Sequence, residues 1–328
     1  MLLSGNPIFS KLDMNKLTAF FRLIRWPNLL IMMLTMYILR YWLLVPLLVK
    51  NGVACVTGDF GFFLLSLSVV LLAAGGYIIN DVYDVDADLI NKPDKVIIDK
   101  EIRMKPAENI YLLINAVAIA IGIYISFSIN LRSVSISFVL VAGLLYFYST
   151  TYKSQLILGN LLVAFFAALV PFMVVLFELP LLQAKYRSFV EFSSFNFNFL
   201  IAWFGFYAFF AFMLNLIREI IKDMEDFEGD SAYGQRTLPV AFGLKTSKIV
   251  VLVLIAITEM FLFYCFIKYL NDPISVAYII PFIVSPLFYA GWLVLKGKAK
   301  KDYSKASLYC KITMVSGILY TCLVKFVL

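Results

Sequence analysis

Two short stretches of this sequence carry residue types that could do chemistry. The first, Asn80 to Asp88, reads N-D-V-Y-D-V-D-A-D and sets Asp81, Asp84, Asp86 and Asp88 at the end of a long apolar run. Asn80, Asp84 and Asp88 recur at i, i+4 and i+8, and Asp81 precedes Asp88 by seven, so a helical backbone would present an amide and three carboxylates on one face. The second, Arg218 to Asp230, reads R-E-I-I-K-D-M-E-D-F-E-G-D. It spaces Glu219, Asp223, Asp226 and Asp230 at i, i+4, i+7 and i+11, again one helical face. Such a face repels itself unless positive charge lies between the acids. The chain has no histidine and only four cysteines, none in a CxxC pair, so the suited partner is a hard cation such as Mg2+, which takes oxygen ligands and shares its shell with phosphates.

The elements that position these acids are membrane helices. Of 328 residues, 62% are hydrophobic and 15% charged, too apolar for a soluble domain. Apolar runs long enough for ~30 Å of hydrocarbon recur throughout, which favours helices over a barrel. They predict nine spans, at 28–49, 60–80, 108–128, 133–150, 155–177, 196–217, 248–269, 275–295 and 306–327. The expected fold is all-α and polytopic, one membrane-embedded domain over residues 1–328, with no soluble domain and no cleavable signal peptide.

Lysine and arginine orient the spans. With the N-terminus inside, the cytoplasmic segments collect Lys11, Lys16, Arg22 and Arg25, the run Lys92 to Lys105, Lys153, Arg218 to Lys248, and Lys296 to Lys305. The other side keeps only Lys50, Arg132, Lys185, Arg187, Lys268 and Lys325. Both acidic stretches then fall in cytoplasmic loops of a multi-pass cell-membrane protein, after spans two and six. Topology accounts for the net charge of +7, and no nucleic-acid partner is expected. Within the spans, Glu259 is the main acid and Arg40 the main base. A secondary transporter is the alternative class, with Glu259 as its coupling acid.

N-D-x-x-D-x-x-x-D at Asn80–Asp88, paired with D-x-x-x-D at Asp226–Asp230, resembles the UbiA superfamily of intramembrane prenyltransferases. The resemblance covers essentially the whole chain. It includes Arg22, Arg25 and Asn28 before span one, Asn91-Lys92-Pro93, Tyr148 to Lys153 leading to Gly159-Asn160, and Gly234 to Gly243. Within the family, the second acidic stretch followed by T-L-P is most similar to digeranylgeranylglyceryl phosphate synthases. One departure stands out: where the family commonly has an Arg-Pro pair and a Pro-Ser-Gly turn, this chain has Lys95-Val96-Ile97-Ile98-Asp99-Lys100. Lys95 can meet phosphate as a point charge, without the bidentate fork of arginine.

The resemblance implies about nine helices around a central cavity and Mg2+-dependent transfer of a polyprenyl group from a prenyl diphosphate to a lipid-soluble acceptor. Asp84, Asp88, Asp226 and Asp230 carry the catalysis, and Asn80, Asp81 and Asp223 join them as metal ligands. Arg22, Arg25, Asn28, Lys95, Lys153, Asn160, Arg218 and Lys222 become substrate-binding residues, and Tyr83, Tyr146 and Tyr148 would shield the allylic cation from water. Geranylgeranyl transfer to geranylgeranylglyceryl phosphate is the expected reaction. Prenylation of an aromatic acceptor of the 4-hydroxybenzoate or dihydroxynaphthoate type is the alternative.

Overall fold

The computed structural model describes residues 16–192 and 196–327, the side chains of 192 and 325–327 excepted. Lys11 and the side chain of Lys325 therefore lie outside the described residues. Among these residues, nine helices are long and apolar enough to cross a membrane: α1 (Trp26–Lys50), α2 (Asp59–Tyr83), α3 (Met104–Ser128), α4 (Arg132–Tyr152), α5 (Leu158–Lys185), α6 (Asn198–Glu225), α7 (Leu238–Tyr269), α8 (Pro273–Lys296) and α9 (Lys300–Val324). There is no strand among the described residues, only a single bridge between Ile98 and Ile102. The all-α, nine-span expectation holds.

Several boundaries differ from expectation. Span two continues to Tyr83 and span six to Glu225, so Asn80, Asp81 and Arg218 to Asp223 are helical rather than in loops. Hydropathy ends where polar side chains begin, but the backbone ladder continues. The 28 residues of α6 span about 42 Å at 1.5 Å each, well beyond the hydrocarbon thickness. Helix α7 starts ten residues before its expected position, because Pro239 opens a first turn that Gly243 interrupts at φ 82°, ψ 160°, a conformation glycine adopts without a Cβ penalty.

The backbone separates into two compact units, Met1–Met33 with Phe60–Tyr152 and Leu34–Asp59 with Lys153–Leu328. In the first, Leu23 and Ile24 pack with Ile78 and Ile79 of α2 and Ala107 and Tyr111 of α3. Ile97 and Ile98 join this core. The Val96-Ile97-Ile98 segment, the departure from the family pattern, is therefore a buried anchor that ties the loop before α3 to the helices. Asp99 follows at φ 60° and accepts the Met104 N–H, the first of α3, at 3.0 Å.

In the second unit, α6 packs against α5, α7 and α9, burying Leu214, Ile217 and Ile221 with Val251, Leu287 and Ala306. Arg40 lies buried in a π-helical segment, Leu39–Leu44, with Glu178 of α5 at 4.0 Å and Asp59 at 3.5 Å. Glu178 also accepts the N–H groups of Val56 and Thr57. Arg40 is thus a base with an internal counter-charge. Glu178 lies one residue beyond the expected end of the fifth span at 177, and α5 runs on to Lys185.

Candidate active site

The first acidic motif is built on the end of α2. At Asp84, at φ −98° and ψ 0°, the chain turns out of α2 while staying in the right-handed helical region, and a short helix, Val85–Asn91, follows. The i→i−4 ladder survives the junction: Asp84 N–H donates to Asn80 O at 3.0 Å, and Asp88 N–H to Asp84 O at 2.8 Å. Asp84 and Asp88 therefore keep the one-face spacing expected of them. Asp84 is buried, and the Asn80 amide donates to its Oδ2 at 2.7 Å, which fixes the carboxylate. Asp81 forms an ion pair with Arg25 at 2.6 Å. Arg25 sits at φ 52°, a strained backbone for a non-glycine residue, with its guanidinium 4.9 Å from the Tyr77 ring centroid.

The second motif repeats this construction on α6. At Asp226 the backbone turns to φ −97° and ψ 10°, and the short helix Phe227–Ala232 follows. Asp226 N–H donates to Lys222 O at 2.9 Å, and Asp230 N–H to Asp226 O at 3.0 Å. Asp81, Asp84 and Asp88 thus correspond in backbone register to Asp223, Asp226 and Asp230. The Asn160 amide on α5 donates to Asp223 Oδ2 at 2.7 Å, and Lys300 at the start of α9 lies 3.7 Å from Asp226 Oδ1. Asp230 is buried. Arg218 and Lys222 both contact Glu219, at 2.6 and 3.1 Å.

The remaining expected residues lie in both units. Arg22 pairs with Glu101 at 2.8 Å, and Asn28 donates its backbone N–H to Arg25 O at 2.8 Å. Lys95 ends the one-turn helix Pro93–Lys95 and is exposed, while Lys153 lies half-buried in the turn after α4. Tyr83 and Tyr146 meet edge-to-face with ring centroids 6.4 Å apart, their hydroxyls at 3.4 Å. Tyr148 opens a π-helical segment, Tyr148–Tyr152. Glu101 and Lys300 are additions that sequence reasoning did not assign; both belong to charged runs read there only as topology.

These donors suit a particular kind of cation. Among the described residues, no three acidic or cysteine side chains converge as a closed metal cage. Each motif instead offers carboxylates oriented by an amide or a cation, which is the donor set for Mg2+: one or two carboxylates, waters, and phosphate oxygens from a substrate.

The family model of the UbiA prenyltransferase family matches residues 43–315. The chain belongs to the UbiA prenyltransferase family. It is a prenyltransferase and, with nine apolar helices among its described residues, a multi-pass membrane protein. Among its UbiA relatives, a digeranylgeranylglyceryl phosphate synthase of Saccharolobus solfataricus is 34% identical over 263 residues, covering 79% of this chain and 83% of the relative. The enzyme of the same name from Methanosphaera stadtmanae is 31% identical over 264 residues, covering 79% and 86%. A UbiA homolog from Archaeoglobus fulgidus, solved bound to DMAPP and Mg2+, shares the fold with a TM-score of 0.57 at 17% identity, over 93% of this chain and 99% of that one.

Proposed function

We propose that this UbiA-family chain transfers a geranylgeranyl group from its diphosphate to the free hydroxyl of geranylgeranylglyceryl phosphate, acting as one prenyltransferase domain over residues 1–328. The observation that carries the chemistry is the duplicated aspartate junction at Asp84 and Asp226, each followed by a further aspartate one helical turn on. The acceptor follows from the relatives' shared name at 34% and 31% identity.

In this reaction the allylic carbon–oxygen bond of the donor breaks and its electron pair leaves with the diphosphate. The acceptor oxygen forms the new carbon–oxygen bond and releases its proton. Mg2+ held by Asp84, Asp88, Asp226 and Asp230, with Asn80, Asp81 and Asp223 in support, would supply the positive charge that stabilises the departing diphosphate. The chain's own groups do the rest. Asn80 and Asn160 hold carboxylates in place by amide donation. Lys95, Lys153, Arg218 and Lys222 offer cationic contacts to phosphate, while Arg22, Arg25 and Asn28 serve a phosphate-bearing acceptor. Tyr83, Tyr146 and Tyr148 screen the allylic cation from water. Both acidic motifs face the cytoplasm, a reading supported by the lysine and arginine bias of the loops.

The test is an acceptor screen on purified protein in detergent, with labelled geranylgeranyl diphosphate as sole donor. Labelled product is expected with geranylgeranylglyceryl phosphate. Product with 4-hydroxybenzoate or a dihydroxynaphthoate, and none with the glyceryl phosphate, would move the enzyme to aromatic prenylation.

A further inference from the structure

The run from Lys296 to Lys305 contains five lysines and a single acid, Asp302. Positive-inside topology explains their presence but not the architecture around them. Gly297 donates its N–H to Leu293 O at 2.8 Å, and its own carbonyl accepts from Lys248 Nζ of α7 at 2.6 Å and from the Tyr303 hydroxyl at 3.3 Å. Asp302 accepts the N–H groups of Lys298 and Ala299 at 3.0 and 3.1 Å. A Cβ at position 297 would stand 2.6 Å from Leu293 O and 3.1 Å from the Asp302 Cβ, so the turn admits only glycine without moving.

This braced turn opens α9 at Lys300, a position where the helix dipole disfavours a cation. A residue that goes against local preference while its backbone is held so firmly invites a functional reading. Its ammonium reaches Asp226 of the second acidic motif at 3.7 Å, an ion pair longer than a hydrogen bond. The Asp226 side chain is 16% exposed and that of Lys300 48%, so the lysine stem has room to swing away from the more buried carboxylate.

We propose that Lys300 is a diphosphate-binding residue of the second acidic motif, its ammonium neutralising Asp226 in the empty site and shifting to the diphosphate oxygens when the metal-bound donor enters. The braced turn sets the reach, and only the flexible four-carbon stem moves. This inference rests on the reading that the second motif takes a metal diphosphate.

It predicts two effects of opposite sign on the full chain in detergent. With Mn2+ alone, followed by electron paramagnetic resonance, Lys300→Ala binds the metal about threefold more tightly than wild type, since a competing cation is gone. With inorganic pyrophosphate plus Mg2+, the same variant binds about tenfold more weakly, the loss of one charge-assisted contact. Lys300→Arg keeps both affinities near wild type, and melting temperatures check the fold. A lysine that only braced the helix would leave both affinities unchanged, and that result overturns the proposal. So does a Lys300→Ala variant that loses both affinities together. Asp226→Asn is the control: if it weakens metal–pyrophosphate binding while Lys300→Ala does not, Lys300 has no such role and the site reading stands. If Asp226→Asn also binds normally, the site reading fails, and Lys300 with it.

Discussion

The two acidic motifs share one backbone design and differ in how their carboxylates are held. Each has a long helix, an aspartate at the turn that ends it and a short second helix, with the hydrogen-bond ladder intact across the junction. The partners, however, are exchanged between equivalent positions. In the first motif a cation, Arg25, holds the aspartate before the junction and a neutral amide, Asn80, holds the junction aspartate. In the second, a neutral amide, Asn160, holds the earlier aspartate and a cation, Lys300, lies beside the junction. Burial shifts as well: the junction residue Asp84 is buried in the first motif, and Asp230, one turn further on, in the second. The same backbone frame thus holds its carboxylates differently. A neutral amide orients a carboxylate without cancelling its charge, leaving it ready for a metal, whereas a cation must yield or share first.

The comparison breaks most sharply at the junctions. Asp84→Asn and Asp226→Asn should each lower turnover by about 100-fold to 1,000-fold in steady-state assays, with unchanged melting temperatures, because each removes charge aimed at the leaving group. A large loss in one variant and none in the other would show that the shared backbone does not mean shared chemistry. Removing the orienting amides should cost less: Asn80→Ala and Asn160→Ala are expected to weaken Mn2+ binding by about 10-fold to 100-fold, the range for groups that orient metal ligands. Equal losses would support the exchange of roles between the motifs. Smallest is Arg25→Lys, which keeps the charge at Asp81 but gives up the planar fork and the stacking on Tyr77; activity should fall by about threefold.

Much of this was legible in the residues. Nine spans followed from apolar run length, and the one-face spacing of Asn80, Asp84 and Asp88 survived the helix break because the backbone ladder crosses it. Helix ends were not legible, since hydropathy reports where side chains prefer lipid while backbone hydrogen bonding decides where a helix stops. Glu178, the counter-charge of Arg40, accordingly falls one residue past the expected end of its span. Nor does spacing along the chain reveal partners brought together by folding, such as Asn160 with Asp223 or Lys300 with Asp226. Lys300 in particular looks like any other lysine in a basic run until the braced turn aims it.

The central claim, that both motifs hold metal against a leaving diphosphate, is tested most directly by following labelled geranylgeranyl transfer in detergent while divalent metal is chelated and then restored. Transfer should stop on chelation and return with Mg2+ in the wild type, and should fail to return to the wild-type rate in either Asp84→Asn or Asp226→Asn. Transfer that persists under full chelation, or both variants recovering fully, would contradict the account.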